Sequence, residues 1–555
     1  MSKKILVAQN IKELKYLIKN TKAQFRVLPL NLKTQLFCVS KNIKFINLSR
    51  ILDNNIHKNI IIETEKILNR INTNIFFYNS INKELKAWFR FRIYSFLFLY
   101  YVIPKIRKQD RTEQIVVSGW NILENLYSEN NYFVSSFIKS ILRNKVKVLK
   151  KKIKIKNPVI YDYEPIFNSK KNEDDYVILN NLGYNFKRIF FWSIKSKKKL
   201  LVYSFNKFPI IKKIILKIFF VKIILINKIQ KKTKPYRHTL LPKISYKKIR
   251  LDKVFSDQLN SLQAIFNNLI NQIKSLDKIV KFHKISLGIS NVARGVDGAL
   301  LEVCKKKNIK TLSIPHGTLS KHFNKFDKIY KKNISSAVLN EDAMFTASQS
   351  KISDSFFKVN KSKSKILRTG NLIFNSTSSK SGKNILYAVT IKDFYNMQFF
   401  GVETFYEYFD NLNFLNNIAK KLNSKIIIKP HPSEFDSIPD LKKTFKSLYF
   451  TNEKNESLFK KVKLTISFSS TMIEDSLSSL TPVILLDRWK RYKHCDCQTN
   501  VNKFSSIYYV TDKEKLISCI NKVLNNTKSK FFKIQKKNSY NENFKILFNQ
   551  MIYEK

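Results

Sequence analysis

The chain is 555 residues long and carries 103 Lys and Arg against 40 Asp and Glu, a formal net charge of +63. Hydrophobic residues at 44% and aromatics at 13% exclude a disordered polar tail, and nine glycines exclude a collagen-like or linker-like chain. Five cysteines (Cys38, Cys304, Cys495, Cys497 and Cys519) exclude a disulfide scaffold and suit a reducing, cytoplasmic setting. The basic excess is mostly lysine and comes with abundant Asn, Ile, Phe and Tyr, the residues of A/T-rich codons. Charge of that origin speaks to solubility and non-specific association rather than to fold.

Met1-Ser-Lys-Lys opens directly into KILVA, read as a first strand, followed by the helical pattern NIKELKYLIKN. QIVVS (Gln114 to Ser118) and YFVSSFIKSILRN repeat the strand–helix rhythm, which predicts a parallel sheet covered by helices. Two apolar stretches stand out. Ile93 to Ile103 is uncharged but shorter than the roughly 20 residues a bilayer requires. Ile210 to Ile226 is interrupted by Lys212, Lys213, Lys217 and Lys222, which suits either a membrane interface or a core helix with edge lysines. Between about 150 and 250 the rhythm fades into lysine runs, read as a basic insertion with solvated faces.

The rhythm returns at Lys284 with a strand, a helix over 291–306 and a strand over 309–314. Six of the nine glycines lie between 288 and 382, marking tight turns or close approaches. The Ser-rich stretch 373–383 reads as a linker. Beyond it come strand NILYAVT, a helix over 405–422, strand KIIIK, strand KLTIS, a helix and strand PVILL. The expected fold class is α/β: two Rossmann-like, doubly wound domains facing a central cleft, 1–375 and 376–555.

Three constellations follow strands in chain order. In SIPHGTLSKHF, His316, Gly317 and Thr318 lie beyond a strand's carboxyl end, where ligands of open parallel sheets bind. Imidazole there can take a proton from an attacking hydroxyl, or it can simply cap a turn. In KIIIKPHPSEFD, two prolines fix the backbone on either side of His431, and Lys429 adds a second donor for a phosphate. In KLTISFSSTMIEDS, Ser469, Ser470 and Thr471 open a helix with Glu474 one turn in. That pattern suits a phosphate site with a hydroxyl acceptor; the spacing from Thr471 to Glu474 also fits an ordinary capping box. Arg294 and Asp297, just after another strand, are candidates to bind an acceptor or to cap the helix. His494-Cys495-Asp496-Cys497 are too closely spaced to supply a full tetrahedral metal set, and no metal is expected. Neither GxGxxG nor GxxxxGK[ST] occurs.

Taken together, the HGT loop, the K-P-H-P loop and the S-S-T stretch before PVILL resemble bacterial GT-B glycosyltransferases of surface and capsule polysaccharide synthesis, and more distantly the teichoic-acid glycerophosphotransferases. The resemblance covers about 284–525. It implies metal-independent transfer of a sugar from a nucleotide sugar to a surface-glycan or lipid-linked acceptor, with no cofactor beyond that substrate. By the same resemblance His316 is the candidate base or an acceptor-side residue, Lys429 and His431 meet the donor phosphates, Ser469, Ser470 and Thr471 hold the pyrophosphate or phosphate, and Glu474 the ribose. Gly317, Thr318, Arg294 and Asp297 fall on the acceptor side. Lys429 replaces the usual arginine, a point charge instead of a fork, and Phe468 lacks the acidic neighbour of the teichoic enzymes. An anionic inner-leaflet surface is a further expected partner. The alternatives are a sugar-nucleotide epimerase of the UDP-N-acetylglucosamine 2-epimerase kind and a basic nucleic-acid-binding protein; for the latter no RRM, zinc-finger or helix-turn-helix pattern is found.

Overall fold

Short apolar runs become central strands when helices cover both faces of a sheet, because every side chain then meets a core. The computed structural model, which describes residues 4–110, 114–126, 128, 131–149, 159–167, 174–180, 186–195, 197–205, 209–230, 243–315, 319–370, 372, 382–389, 391–392, 403–525 and 540–553, contains three such sheets. The first has the spatial order Phe25–Pro29, Lys4–Ala8, Gln114–Ser118, Val146–Leu149, all parallel. The apolar run 93–103 lies inside the 32-residue helix Asn79–Asp110, with Ile93, Phe96, Phe98, Leu99 and Ile103 fully buried. It is a core helix, and among the described residues no helix is long and apolar enough to cross a membrane.

The second sheet has eight strands: Lys365–Arg368, Phe345–Ser348, Lys310–Ser313, Ile285–Ser290, Tyr176–Asn180, Lys199–Ser204, Lys222–Gln230 and, antiparallel at the edge, Tyr161–Pro165. Four of them come from 150–250, so the stretch read as a basic insertion is half of a sheet. Its lysines hid the pattern because they crowd the connections, as in SIKSKKKLL, while YVILN and KLLVYS between them are nearly all buried. The stretch 210–226 is likewise no single helix. Helix Ile210–Ile218 ends at Phe219–Phe220, and the chain continues as the strand Lys222–Gln230.

The third sheet runs Tyr449–Phe450, Ile426–Lys429, Asn384–Ala388, Val462–Ser467, Val483–Leu486, Ile507–Val510, all parallel. The α/β class and the pair of facing doubly wound units are therefore present in the second and third sheets, with the first sheet as an additional unit. The last helix, Tyr540–Tyr553, returns to the second sheet, where Phe548 stacks on Trp192 at 3.6 Å. Most of the linker 373–383 lies outside the described residues.

Two of the described glycines in the cluster serve packing at one turn. Gly295 adopts φ +66, and a Cβ on Gly298 would sit 2.5 Å from the backbone of Ala293, so the helix Gly295–Lys305 can start this close to its own loop only with glycine there. The first unit is tied to both others. Glu302 accepts from the backbone N–H of Asn79 (3.0 Å) and of Ser80 (3.3 Å) at the start of the long helix, and Lys33 pairs with Asp436 at 2.7 Å.

Candidate active site

Parallel pairing brings the expected loops to one level. In the third sheet, Ala388 is in register with Lys429 on one side and Ser467 on the other, so the two site strands lie two inter-strand spacings, about 10 Å, apart. The His431 and Ser469 loops both leave from that level. In the second sheet, Ser290 is in register with Ser313, which puts the exits toward Arg294 and toward 316–318 side by side. His316, Gly317 and Thr318 themselves lie outside the described residues.

The two edges meet. Ser350, the N-cap of helix Lys351–Val359 after strand Phe345–Ser348, donates its hydroxyl to the Glu474 carboxylate. Beside it, Gln349 Nε2 donates to the carbonyl of Pro315 at 3.1 Å, immediately before 316–318. The capping-box alternative for Glu474 is not formed: Thr471 makes no side-chain cap, and the carboxylate reaches across to the second unit instead. Neither Ser350 nor Gln349 was singled out from sequence. The available signal was their position one and two residues past an apolar strand.

Around the helix Met472–Ser478, two N–H groups are already satisfied. Ser470 N donates to Ser467 Oγ and Met472 N to Ser470 Oγ, both at 3.2 Å. Ser469 Oγ is shielded from solvent and makes no hydrogen bond, while Thr471 is exposed. The donors left for a ligand are thus fewer than the motif suggested. His431 N-caps a short 3-10 turn: its Nδ1 accepts from Ser433 N at 3.3 Å and lies 2.8 Å from Ser433 Oγ. That contact makes Nε2 the protonated nitrogen. Lys429 Nζ donates to the carbonyl of Glu453. Burial lowers its pKa, opposed by the carboxylates of Asp475, Glu456 and Glu453.

On the second unit, Arg294 and Asp297 part company. Asp297 is half-buried, accepts from Asn180 and from Tyr203 Oη (3.2 Å), and its desolvation raises its pKa. Arg294 lies 3.4 Å from Glu84 and lines a cavity of about 500 Å³ between the long helix Asn79–Asp110 and the helix Lys325–Val338. Lys83, Lys86, Arg90 and Lys332 line it too, against Glu65 and Glu341. Arg90 is held by Glu65 at 2.8 Å. Burial, then the neighbouring Arg90, lower the pKa of Lys86. Positive charge therefore exceeds negative in a room large enough for a sugar residue.

One loop closes the cleft from the third unit. Asp487 accepts from the backbone N–H of Arg491 (2.6 Å) and Tyr492 (2.8 Å), and Lys331 reaches the carbonyls of Lys493 (3.3 Å) and His494 (3.4 Å) from the second unit. Within this loop His494 faces Tyr492, and Asp496 pairs with Lys321 at 2.7 Å. Among the described residues no group of three or more His, Cys, Asp or Glu is placed to hold a metal.

No family model and no curated protein matches this chain. Among solved structures it is similar to the UDP-GlcNAc 2-epimerase of Methanocaldococcus jannaschii in complex with UDP-GlcNAc and UDP, at 13% identity and TM-score 0.40, over 68% of this chain and 99% of that one. It is also similar to the UDP-GlcNAc 2-epimerase of Neisseria meningitidis bound to UDP-GlcNAc (12%, TM-score 0.39, 68% and 100%) and to Anabaena HepE in complex with UDP and glucose (13%, TM-score 0.36, 69% and 99%). Likeness of this degree selects no activity.

Proposed function

We propose that the protein is an enzyme acting on a nucleotide-activated sugar, and that it moves the sugar to a glycan acceptor. The observation that supports this most is the Ser350–Glu474 contact, which joins the carboxyl edges of two parallel sheets where ligands of such folds bind. In this reading His431 Nε2 and Thr471 face the donor's phosphates, with Lys429 contributing charge from the strand end, while Ser469 Oγ, shielded from solvent, stays out of reach. Ser470 shapes the turn. Glu474 exchanges Ser350 for a ribose or sugar hydroxyl. The acceptor enters on the second unit, in the basic cavity at Arg294, and Asp297 holds the loop behind it. A bond forms from the acceptor oxygen to the sugar's anomeric carbon as the bond from that carbon to the phosphate oxygen breaks. The electron pair leaves with the nucleotide, His316 takes the acceptor's proton, and hydroxyl and N–H donors meet the charge on the leaving group.

Epimerisation of the donor itself is the rival. It would use the same nucleotide-holding residues without an acceptor, and the cavity at Arg294 is the feature that favours transfer. Two measurements test the proposal. Thermal shift with UDP, CDP, GDP, ADP and CMP should show one nucleotide stabilising the wild type but not His431→Ala; no shift with any nucleotide sinks the enzyme reading. Incubation of the matching nucleotide sugar in D₂O without acceptor separates the rivals, since an epimerase inverting a sugar carbon by proton removal introduces deuterium there and a transferase does not.

A further inference from the structure

Of the large apolar side chains that stand exposed among the described residues, an unusual share sits in one place. Helix Ile210–Ile218 and the two residues after it expose Ile210 (78%), Ile211 (74%), Ile214, Ile215, Ile218 (64%), Phe219 and Phe220 (87%). Only Leu216 of that helix is buried. At 100° per residue the five isoleucines span an arc of about 140°, opposite Leu216. Lys212 borders that arc on one side, and Lys213 and Lys217 on the other. Phe220 adopts φ +56, a conformation bulky residues rarely take, where the chain turns into the strand Lys222–Gln230. The core-helix reading of this stretch is thereby excluded: its apolar face points away from the protein.

The surrounding charge is just as one-sided. Between 176 and 251 the sequence has twenty Lys and Arg and no Asp or Glu. Even spread of lysine does not explain a run of 76 residues without a single acid in a chain that has 40.

We propose that helix Ile210–Ile218 with Phe219 and Phe220 docks on an anionic lipid bilayer, its isoleucines and phenylalanines entering the headgroup–acyl boundary and its flanking lysines meeting lipid phosphates. A contiguous exposed apolar face is stabilised by acyl chains, and lysines at its borders can keep their ammonium groups among the headgroups. Nucleic acid would satisfy the lysines but not the isoleucines. The inference is independent of the transfer reading: lipid binding can be present in a protein that binds no nucleotide.

The test is flotation of the full-length protein with phosphatidylcholine vesicles containing about 30 mol % phosphatidylglycerol, beside pure phosphatidylcholine vesicles. Binding is expected to the former only. Ile214→Asp with Ile218→Asp should lower the bound fraction about tenfold or more, and Lys213→Glu with Lys217→Glu about as much, more so at low salt. These side chains are exposed, so unchanged circular dichroism is expected. Independently, Phe220→Trp should shift its emission to the blue on anionic vesicles and be quenched by brominated acyl chains. Absence of flotation together with an unmoved Trp signal overturns the proposal. So does a mass of two chains in solution that Ile214→Asp reduces to one without any vesicle binding, which would make the face a self-interface. RNA binding that depends on the lysines and is indifferent to the isoleucines, with no vesicle binding, overturns it as well.

Discussion

Two polar clusters of the third unit invite comparison. One is sealed, in the loop after strand Val483–Leu486 and at the start of helix Phe405–Ala419: Arg491 and Glu407 pair at 2.5 Å with side chains 1% and 2% exposed, Asp487 accepts from Tyr509 Oη at 2.9 Å, and Glu403 accepts from Tyr387 and Asn411. His57 from the first unit is packed beside it, 3.0 Å from Tyr94 Oη and 3.0 Å from Tyr406 Oη. The other, Lys429, His431 and Glu474, is open, half-buried and partnered mainly by backbone and hydroxyls. Of the two clusters the sealed one holds the larger pKa displacements: burial pushes Glu403 up to about 7 and His57 down to about 3. Burial alone accounts for displacement of that size, which Glu13 and His494 show elsewhere in the fold. Asp487 of the sealed cluster also stands at a strand end, so access to solvent is what distinguishes the candidate site.

Variants that should separate the two clusters can be ranked by expected effect. Arg491→Met leaves Glu407 and Asp487 as buried, uncompensated carboxylates and should cost about 3–5 kcal/mol in urea unfolding; a loss below about 1 kcal/mol would show that the cluster is not sealed. Glu403→Gln comes next. The folded-state pKa of Glu403, about 7, lies above the unfolded value of 4.5, so the folded protein holds the extra proton between those values. Its contribution to stability is complete below 4.5 and falls as pH rises to about 7, by roughly 3 kcal/mol. His57 works in the opposite sense, favouring the folded state as pH rises from about 3 to 6.5. The difference in unfolding free energy between Glu403→Gln and wild type should accordingly grow from pH 4.5 to pH 7 and stay level above; a constant difference would argue that Glu403 is ionised in the fold.

The open cluster should respond in ligand binding rather than in folding. His431→Ala should abolish the nucleotide-induced stabilisation, about 2–3 kcal/mol at a hundredfold excess over Kd, while the melting temperature without ligand barely moves. If the unliganded protein is destabilised by as much, the Pro-His-Pro loop is turn chemistry only. The smallest effect is expected at the cleft contact. Ser350→Ala should cost about 0.5–1.5 kcal/mol in stability without weakening nucleotide-sugar binding, whereas Glu474→Gln should weaken that binding about tenfold. Equal binding losses in the two variants would make the contact a latch between units and nothing more.

The comparison also shows what could be read in advance. Several strands are legible in the sequence, because KILVA, QIVVS, KIIIK and KLTIS are short, mostly apolar runs bounded by turn residues. The strands Tyr176–Asn180 and Lys199–Ser204 are obscured by lysine-rich connections, so half of the eight-stranded sheet reads as an insertion in the sequence. The Arg491–Glu407 pair was invisible because its members stand 84 residues apart and neither sits in a motif. Ser350 was missed for the same reason, at 124 residues from Glu474.

Local sequence by itself determined the elements: apolar runs made strands, Asn10, Asn31, Asp53 and Ser350 capped helices through their own side chains, and Thr404 with Glu407 built a capping box. Tertiary structure alone decided which polar residues meet. It placed Glu474 on Ser350 instead of on its own helix, put Arg294 beside a basic cavity, and turned the isoleucines of Ile210–Ile218 outward. The physical reason is range: backbone periodicity and caps act within a few residues, whereas the direction in which a helix face or a carboxylate finds its partner depends on how whole sheets pack against one another.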